Sequence, residues 1–470
     1  MSMFKLKTID EVLDSANQNK SLEKNLNVWH LLLLGLGAII GTGIFGMTGI
    51  AAVNMSGPAI IISYAIAGTT AIFIALSYTE VATMIPTSGG AYSYTFVAFG
   101  EIAAWIVSWM LILYFITSTS AVAIAWSGYI VSMLHEEGIN IPFELTKSPF
   151  ENGVVNFPAV LVILAVTMLL FRGTKKSVTI NVILVIIKVT SIALFVYVAA
   201  PHFNTSNWLE YNHPLPKLYL SSPFMPFGIT GVVSGSAFVF FAYNGFDSIV
   251  SAAEESKDPK RDLILAILGS LFICMTLYII VAALLVGTVP FNLIQVSSPI
   301  TGSLKYNGHN IISPVIAGGV VFGMISIIIA QLFALSRVII VVARDRLLPD
   351  FLTKIHKEYN TPYISIIILG LLSSITAGFM PLEIIGTLSC VGSLFSFIIV
   401  CLAMMVLRCR YPDVKRPFKC FAPYFIGSVG VLLCLILLIS TVKVVGLYSV
   451  VWLGLGIMFY FLYYIIRKKQ

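Results

Sequence analysis

Long apolar runs alternate with short polar, proline- or glycine-bearing stretches along the whole chain. The runs fall near residues 30–53, 59–85, 100–133, 156–171, 177–200, 228–252, 262–289, 313–342, 363–379, 384–407, 421–442 and 446–466. A helix needs about 20 mostly apolar residues to cross a hydrocarbon core. The pattern therefore predicts about twelve transmembrane helices. Strands of a barrel would instead show segments of about ten residues with alternating polarity. The expected fold class is all-α integral membrane.

Composition supports this and excludes a soluble fold. Of 470 residues, 58% are hydrophobic and 10% charged, with mean hydropathy +0.96, where soluble domains carry about 25% charged residues. The net charge of +7 suggests a polyanionic partner only until the basic residues are placed. With the first loop inside, 22 of the 28 lysines and arginines fall on inside loops and ends. Lys147, Lys217, Lys305 and Lys443 fall outside, while Lys188 and Arg337 lie within spans. Basic residues mark the cytoplasmic side of membrane proteins, so both termini are expected in the cytoplasm, with the chain in the cell inner (cytoplasmic) membrane and no nucleic-acid partner. The polar first 25 residues lead us to expect no cleaved signal peptide. Six cysteines show no CxxC pair and mostly sit in or beside apolar runs, which suits packing rather than a metal site or disulfides.

Two spans carry helix-breaking sequence at their centres. The first reads Gly35-Leu-Gly-Ala-Ile39-Ile40-Gly41-Thr42-Gly43-Ile-Phe45, and the sixth Phe240-Phe241-Ala242-Tyr243-Asn244-Gly245-Phe246-Asp247. Glycine costs about 1 kcal/mol in a helix interior, and unwound backbone survives at membrane depth only against protein, water or a ligand. A half-helix beginning at such a break offers free N–H groups and a positive dipole end, which suit a carboxylate. Carbonyls on the other side suit an ammonium, so the two together suit a zwitterion. Gly41-Thr42-Gly43 alone is equally a helix-packing motif. The first and sixth spans occupy equivalent places if the first ten spans are two five-helix repeats, and paired interrupted spans point to a transporter site. No sequence identity between the halves is visible. This gives residues 1–28 as a cytoplasmic segment, 29–200 as spans 1–5, 201–227 as an extracytoplasmic loop and 228–407 as spans 6–10. Residues 408–420 form a cytoplasmic loop, and 421–470 spans 11–12 with a cytoplasmic tail.

At these residues the sequence resembles the amino acid–polyamine–organocation (APC) superfamily, nearest its bacterial cationic-amino-acid-transporter-like permeases. GLGAIIGTGIF from Gly35, FFAYNGFDSIVSAAEESKDP from Phe240, SRVIIVVARDRLLPDFL from Ser336 with Thr361-Pro362, and LRCRYPDVKRPFK from Leu407 carry the resemblance in order. It implies a five-plus-five inverted repeat with two further helices and alternating access to a central site. It also implies that substrate meets Ile39, Ile40, Gly41, Thr42, Gly43, Phe241, Ala242 and Asn244. The implied activity is amino-acid transport by proton-coupled symport or exchange, with no cofactor beyond a proton as coupling ion.

Lys188 lies mid-span, where a charge costs about 2.5–3.5 kcal/mol on insertion scales and should face the bundle interior. It is either a structural lysine bonded to carbonyls or a functional one, a fixed cation or a proton-titrating group. The resemblance favours the second, because proton-coupled permeases have a lysine here where sodium-driven relatives bind their ion. Asp247 suits gating or proton transfer as well as helix capping. Glu254 and Glu255 are expected to pair with Lys257 and Arg261, and Arg337 with an acidic gate residue. Asn244, where related permeases often have an apolar residue, either binds a polar substrate group or caps the break. Tyr114, Tyr243, Phe246 and Trp109 are packing aromatics or gates. Where the family usually has third-span acids in a stretch like GWDLILEY, this chain has Met110 and Tyr114, so coupling through that acid is not expected here.

Polyamine or organic-cation transport by the same fold would prefer acids lining the site. A membrane-embedded enzyme would need clustered His, Asp, Glu or Ser, and no metal-like spacing appears among the histidines. A transporter-like sensor is separated by a flux measurement. No P-loop signature is present, so direct ATP coupling is not expected. The expected partners are an amino acid and the lipid bilayer, with the chain a monomer or weak homo-oligomer.

Overall fold

The computed structural model describes residues 6–17, 26–209, 222–296 and 298–469. Lys5, Lys20, Lys24, Lys217 and part of the 201–227 loop lie outside the described residues. So do the side chains of Lys175, Lys176, Lys443, Arg467, Lys468 and Lys469.

Every regular element among the described residues is helical, as expected where the solvent offers backbone groups no hydrogen bonds. Span 1 begins as Val28–Ile39, capped by Asn27, whose side chain accepts from His30 N. It resumes as Gly43–Met47, Thr48–Ala51 and Ala52–Ser56, the first and last of these wound as π-helix. Span 2 is Ile60–Met84, span 3 Glu101–Glu136, span 4 Phe157–Phe171 and span 5 Thr174–Ala199. Span 6 is broken into Gly228–Val239, a 3-10 turn Phe240–Tyr243 and Ser248–Ser251. Spans 7 to 10 are Pro259–Thr288, Ile312–Arg344, Tyr363–Phe379 and Leu382–Arg410.

Residues Pro423–Lys469 are assigned helix throughout, where the hydropathy pattern expects two spans. Side-chain contacts nonetheless return both ends to one face. Tyr424 meets Cys409 at the end of span 10, and Tyr460 donates to Glu101 at the start of span 3. Two separate stretches, Pro423–Thr441 and Val445–Ile465, are each apolar and long enough to cross.

Short helices at Ile9–Asn17 and at two further places were not anticipated. Ala91–Phe99 links spans 2 and 3, and Pro299–Tyr306 precedes span 8. Nine residues of helix rise about 13 Å, too little to cross, so hydropathy alone reads such pieces as loop.

The breaks of spans 1 and 6 sit in one continuous core with spans 2, 3, 7, 8 and 10 packed around them. Spans 3 and 8, counterparts in a five-plus-five arrangement, pack along one another. At the face carrying the N-terminal helix Ile9–Asn17, the entry to span 1 and the exit of span 6 are pinned together. There Leu26 N donates to Glu255 O at 3.0 Å and Lys257 N to Leu26 O at 2.9 Å.

Candidate functional site

The two breaks meet face to face. A Cβ on Gly43 would lie 2.2 Å from Ala242 Cα, and one on Gly245 2.6 Å from Ala38 O. Gly245 also holds φ +114, a conformation open to glycine. Gly43 therefore serves close packing, whatever else it serves. On the span 1 side, Ile44 N and Phe45 N both donate to Gly41 O. The amides of Gly41, Thr42 and Gly43 open the second half-helix of span 1, where the first N–H groups have no intrahelical partner.

Tyrosines hold the breaks in place. Tyr278 Oη, from span 7, lies 2.8 Å from Ile39 O and 3.1 Å from Ala242 O, one hydroxyl proton shared between both breaks. Tyr64 Oη donates to Gly43 O at 2.8 Å, and Tyr243 Oη donates to Tyr64 O at 2.9 Å. Tyr243 thus lies inside a three-tyrosine cluster, with its ring centroid 5.3 Å from that of Tyr278. Phe246 stacks on Phe397 of span 10 at 5.0 Å. Trp109 stacks on Trp452 at the contact of spans 3 and 12, and neither break is among its partners.

Lys188 is fully buried. Its ammonium donates to Gly37 O, Ile40 O and Ser326 Oγ, each at 2.7 Å, which uses all three of its donors. It ties span 5 to the span 1 break and to span 8. An ammonium here fills the carbonyl end of the first half-helix of span 1, so the structural and fixed-charge readings describe the same three bonds.

Asp247 stands before Ser248–Ser251 but makes no side-chain cap bond. Its carboxylate instead accepts from Tyr114 Oη at 3.1 Å. Tyr114, noticed in the sequence as the replacement of an acid, is thus joined to the acid on the other side of the bundle. Gln331 of span 8 lies beside the same hydroxyl. Asn244 does not cap the break with its side chain: its backbone N donates to Phe241 O, and neither amide atom has a partner among the described residues. Thr42 Oγ1, Ser248 Oγ and Gln331 Oε1 are buried and unpartnered as well. A cavity of about 10 Å³, room for one water, is lined by Asp247, Tyr78, Ser88, Ser251 and Val338 among others. A cavity of about 500 Å³ between spans 3, 9, 10 and 12 is apolar and touches neither break.

Beyond Asp247 the face bearing the N-terminal helix is closed by ion pairs. Glu255 pairs with Arg337 at 3.3 Å and Glu254 with Arg344 at 3.8 Å. This corrects the expected partners Lys257 and Arg261, because span 8 runs past the end of span 6 and presents its arginines there. Asp345 holds Lys7 and accepts from Tyr92 Oη at 2.6 Å. Glu80 takes Arg408 in two bonds, at 2.6 and 2.7 Å, and Arg416 at 3.2 Å. Burial raises the Glu255 carboxyl above its ordinary value, against the opposing pull of Arg337.

Sequence reasoning missed Gln331, Ser326, Tyr64 and Tyr278. Gln331 left a signal, a single amide in the apolar run from Ile325 to Leu335. The tyrosines left none, since tyrosine is common in membrane helices and only packing shows which carbonyl it reaches.

A helical bundle that crosses the membrane many times, with two broken spans meeting at its centre, defines a membrane transport protein. The chain belongs to the amino acid permease family, whose model matches residues 26–466. It is 38% identical to the branched-chain amino acid permease BcaP of Bacillus subtilis (strain 168) over 470 residues, 98% of this chain and 97% of that protein. The methylthioribose transporter of the same organism is 36% identical over 466 residues, 98% of each chain. The vacuolar cationic amino acid transporter 4 of Arabidopsis thaliana is 33% identical over 416 residues, 88% of this chain and 68% of that protein. Relatives named as permeases and transporters place this chain among transport proteins and not enzymes.

Proposed function

We propose that this chain is a secondary transporter that moves amino acids across the cytoplasmic membrane by alternating access. Both termini lie in the cytoplasm and the ion-paired face is the cytoplasmic gate. One observation carries the reading: two buried helix breaks abut at Gly43–Ala242 and Gly245–Ala38, with half-helix amides and unpartnered polar side chains at the junction. The substrate carboxylate binds the amides of Gly41 to Gly43. Its ammonium binds the span 6 side, where Phe241 and Ala242 supply carbonyls. Binding there displaces the contacts that close the breaks on one another, which links occupancy to movement of the half-helices.

Coupling, in this reading, runs through Asp247 and not through an acid in span 3. Asp247 is the carboxylate on the span 6 break, it is tied to Tyr114, and it borders the small cavity toward the cytoplasmic gate. Lys188 supplies the fixed positive charge behind span 1.

The test is uptake of radiolabelled amino acids into proteoliposomes, with and without an inward proton gradient, and with amino acid preloaded inside. Gradient-stimulated uptake supports symport, and uptake that requires preloading supports exchange. In Asp247→Asn, gradient stimulation should vanish while exchange persists. Equal stimulation in wild type and variant would remove Asp247 from the coupling path. Since one relative is named for methylthioribose, that compound belongs in the panel, and its uptake in place of every amino acid would overturn the substrate assignment.

A further inference from the structure

The unpartnered amide of Asn244 bears on which amino acids the site takes. Asn244 is 2% exposed, and neither its oxygen nor its nitrogen has a partner among the described residues. A side-chain amide offers two donors and two acceptor lone pairs, and buried polar groups are nearly always matched. A buried amide that the protein's own groups leave unmatched is one that something else completes.

Capping does not account for it. The backbone N–H of Asn244 already closes the 3-10 turn on Phe241 O, and the side chain adds no cap bond. Nor is the amide alone. Ser248 Oγ lies on the same break, and Thr42 Oγ1 on the facing break of span 1, both 1% exposed and both without a partner. These breaks touch through Gly43–Ala242 and Gly245–Ala38, so three residues with unused hydrogen-bonding capacity lie on the two segments that form the junction.

The charged groups there are already engaged. The ammonium of Lys188 has three oxygens, and Asp247 is held by Tyr114. A cationic side chain would bring a second positive charge to a junction that Lys188 already borders. An aliphatic one would leave the Asn244 amide unmatched, and a site built to hydrogen-bond a substrate group discriminates against the analogue lacking it far more than an apolar pocket rejects an extra methylene.

We infer that Asn244 is a specificity-determining residue that selects amino acids with a neutral hydrogen-bonding side chain, an amide or a hydroxyl, over aliphatic and cationic ones. The inference rests on the proposed amino-acid transport and names the substrate class of that same site. Ser248 and Thr42 add capacity around the same junction, while the zwitterion is held by backbone as above.

The experiment uses the full chain in proteoliposomes and compares kcat/KM for glutamine, asparagine, serine, leucine, valine and lysine. The polar set should exceed leucine and lysine by about tenfold or more. Asn244→Leu should lower the glutamine-to-leucine ratio of kcat/KM about tenfold or more, and leucine uptake above the protein-free background shows that the variant folds. A second measurement needs no variant: glutamine should raise the melting temperature of the detergent-solubilised wild type, and leucine at the same concentration should not. Wild-type preference for leucine or lysine, an unchanged polar-to-leucine ratio in Asn244→Leu, or equal stabilisation by leucine and glutamine would each overturn the inference while leaving amino-acid transport intact. Uptake and stabilisation by no amino acid at all would overturn the transport reading and this one with it.

Discussion

At the scale of single residues, the site is a set of backbone groups held in unusual places by a few side chains. Gly43 is where that demand is sharpest. A methyl there would meet Ala242 Cα at 2.2 Å and Ala242 Cβ at 2.3 Å, closer than real Cβ contacts, and the obstacle is backbone that cannot rotate away. Overpacking of this kind costs about 1–3 kcal/mol, and here it also separates the two breaks. Gly43→Ala should insert normally, melt at lower temperature and lose most uptake; wild-type uptake would show that the breaks need not touch. Lys188 makes the complementary case. Lys188→Met keeps much of the stem but takes the ammonium donor from Ile40 O and leaves Gly37 O with Ser326 Oγ, and a buried group left unmatched costs about 1–3 kcal/mol. We expect lower thermal stability together with lost transport. A variant as stable as wild type but inactive would isolate the charge itself as the functional feature.

At the scale of elements, the half-helices of spans 1 and 6 are tied at one end and loosely matched at the other. The exit of span 6 is bound to the entry of span 1 through Leu26, Glu255 and Lys257, and to span 8 through Glu255–Arg337. The Glu255 carboxyl is raised by its burial in this closed arrangement. Opening the face would hydrate it and bring it back toward its ordinary value. The closed state therefore binds the proton more tightly, so lower pH on this side favours closure and higher pH favours opening. Transport limited by opening of this face should slow as the pH on that side falls through the acidic range, and Glu255→Gln should flatten the dependence. Initial rates measured with that compartment buffered at different pH check this, and a rate rising with acidity through Glu255 would reverse the assignment.

At the scale of the whole molecule, the contacts place several chain segments on one face, and the charge distribution predicts that this face is cytoplasmic. Cys409–Tyr424 and Glu101–Tyr460 bring both ends of Pro423–Lys469 back to one face. The same face holds Lys7 against Asp345 and Arg408 against Glu80. Reporter fusions after Gln470 and at the N-terminus should both read cytoplasmic, and one inserted near Asn204 should read external. Opposite readings from the two termini would mean an odd number of crossings and would displace the twelve-span topology.

Much of this was legible in the chain, for identifiable reasons. Runs near 20 apolar residues dictate crossing helices because hydrocarbon offers backbone no other partner. Glycine at 245 marks unwound backbone through its φ of +114, while Gly43 marks the place where the two breaks touch. The short helices at Ala91–Phe99 and Pro299–Tyr306 escaped because nine or eight residues carry no membrane-crossing signature. Local chemistry thus determined the class, the spans and the location of the breaks. Tertiary structure alone decided that Glu255 faces Arg337, that Tyr114 reaches Asp247, that Lys188 spends all three donors on span 1 and span 8, and that Asn244 is left unmatched. Each of these joins residues 82 to 151 positions apart or rests on the absence of a partner. The period of a sequence fixes what each helix is, while hydrogen-bond pairing depends on how helices rotate and slide against one another.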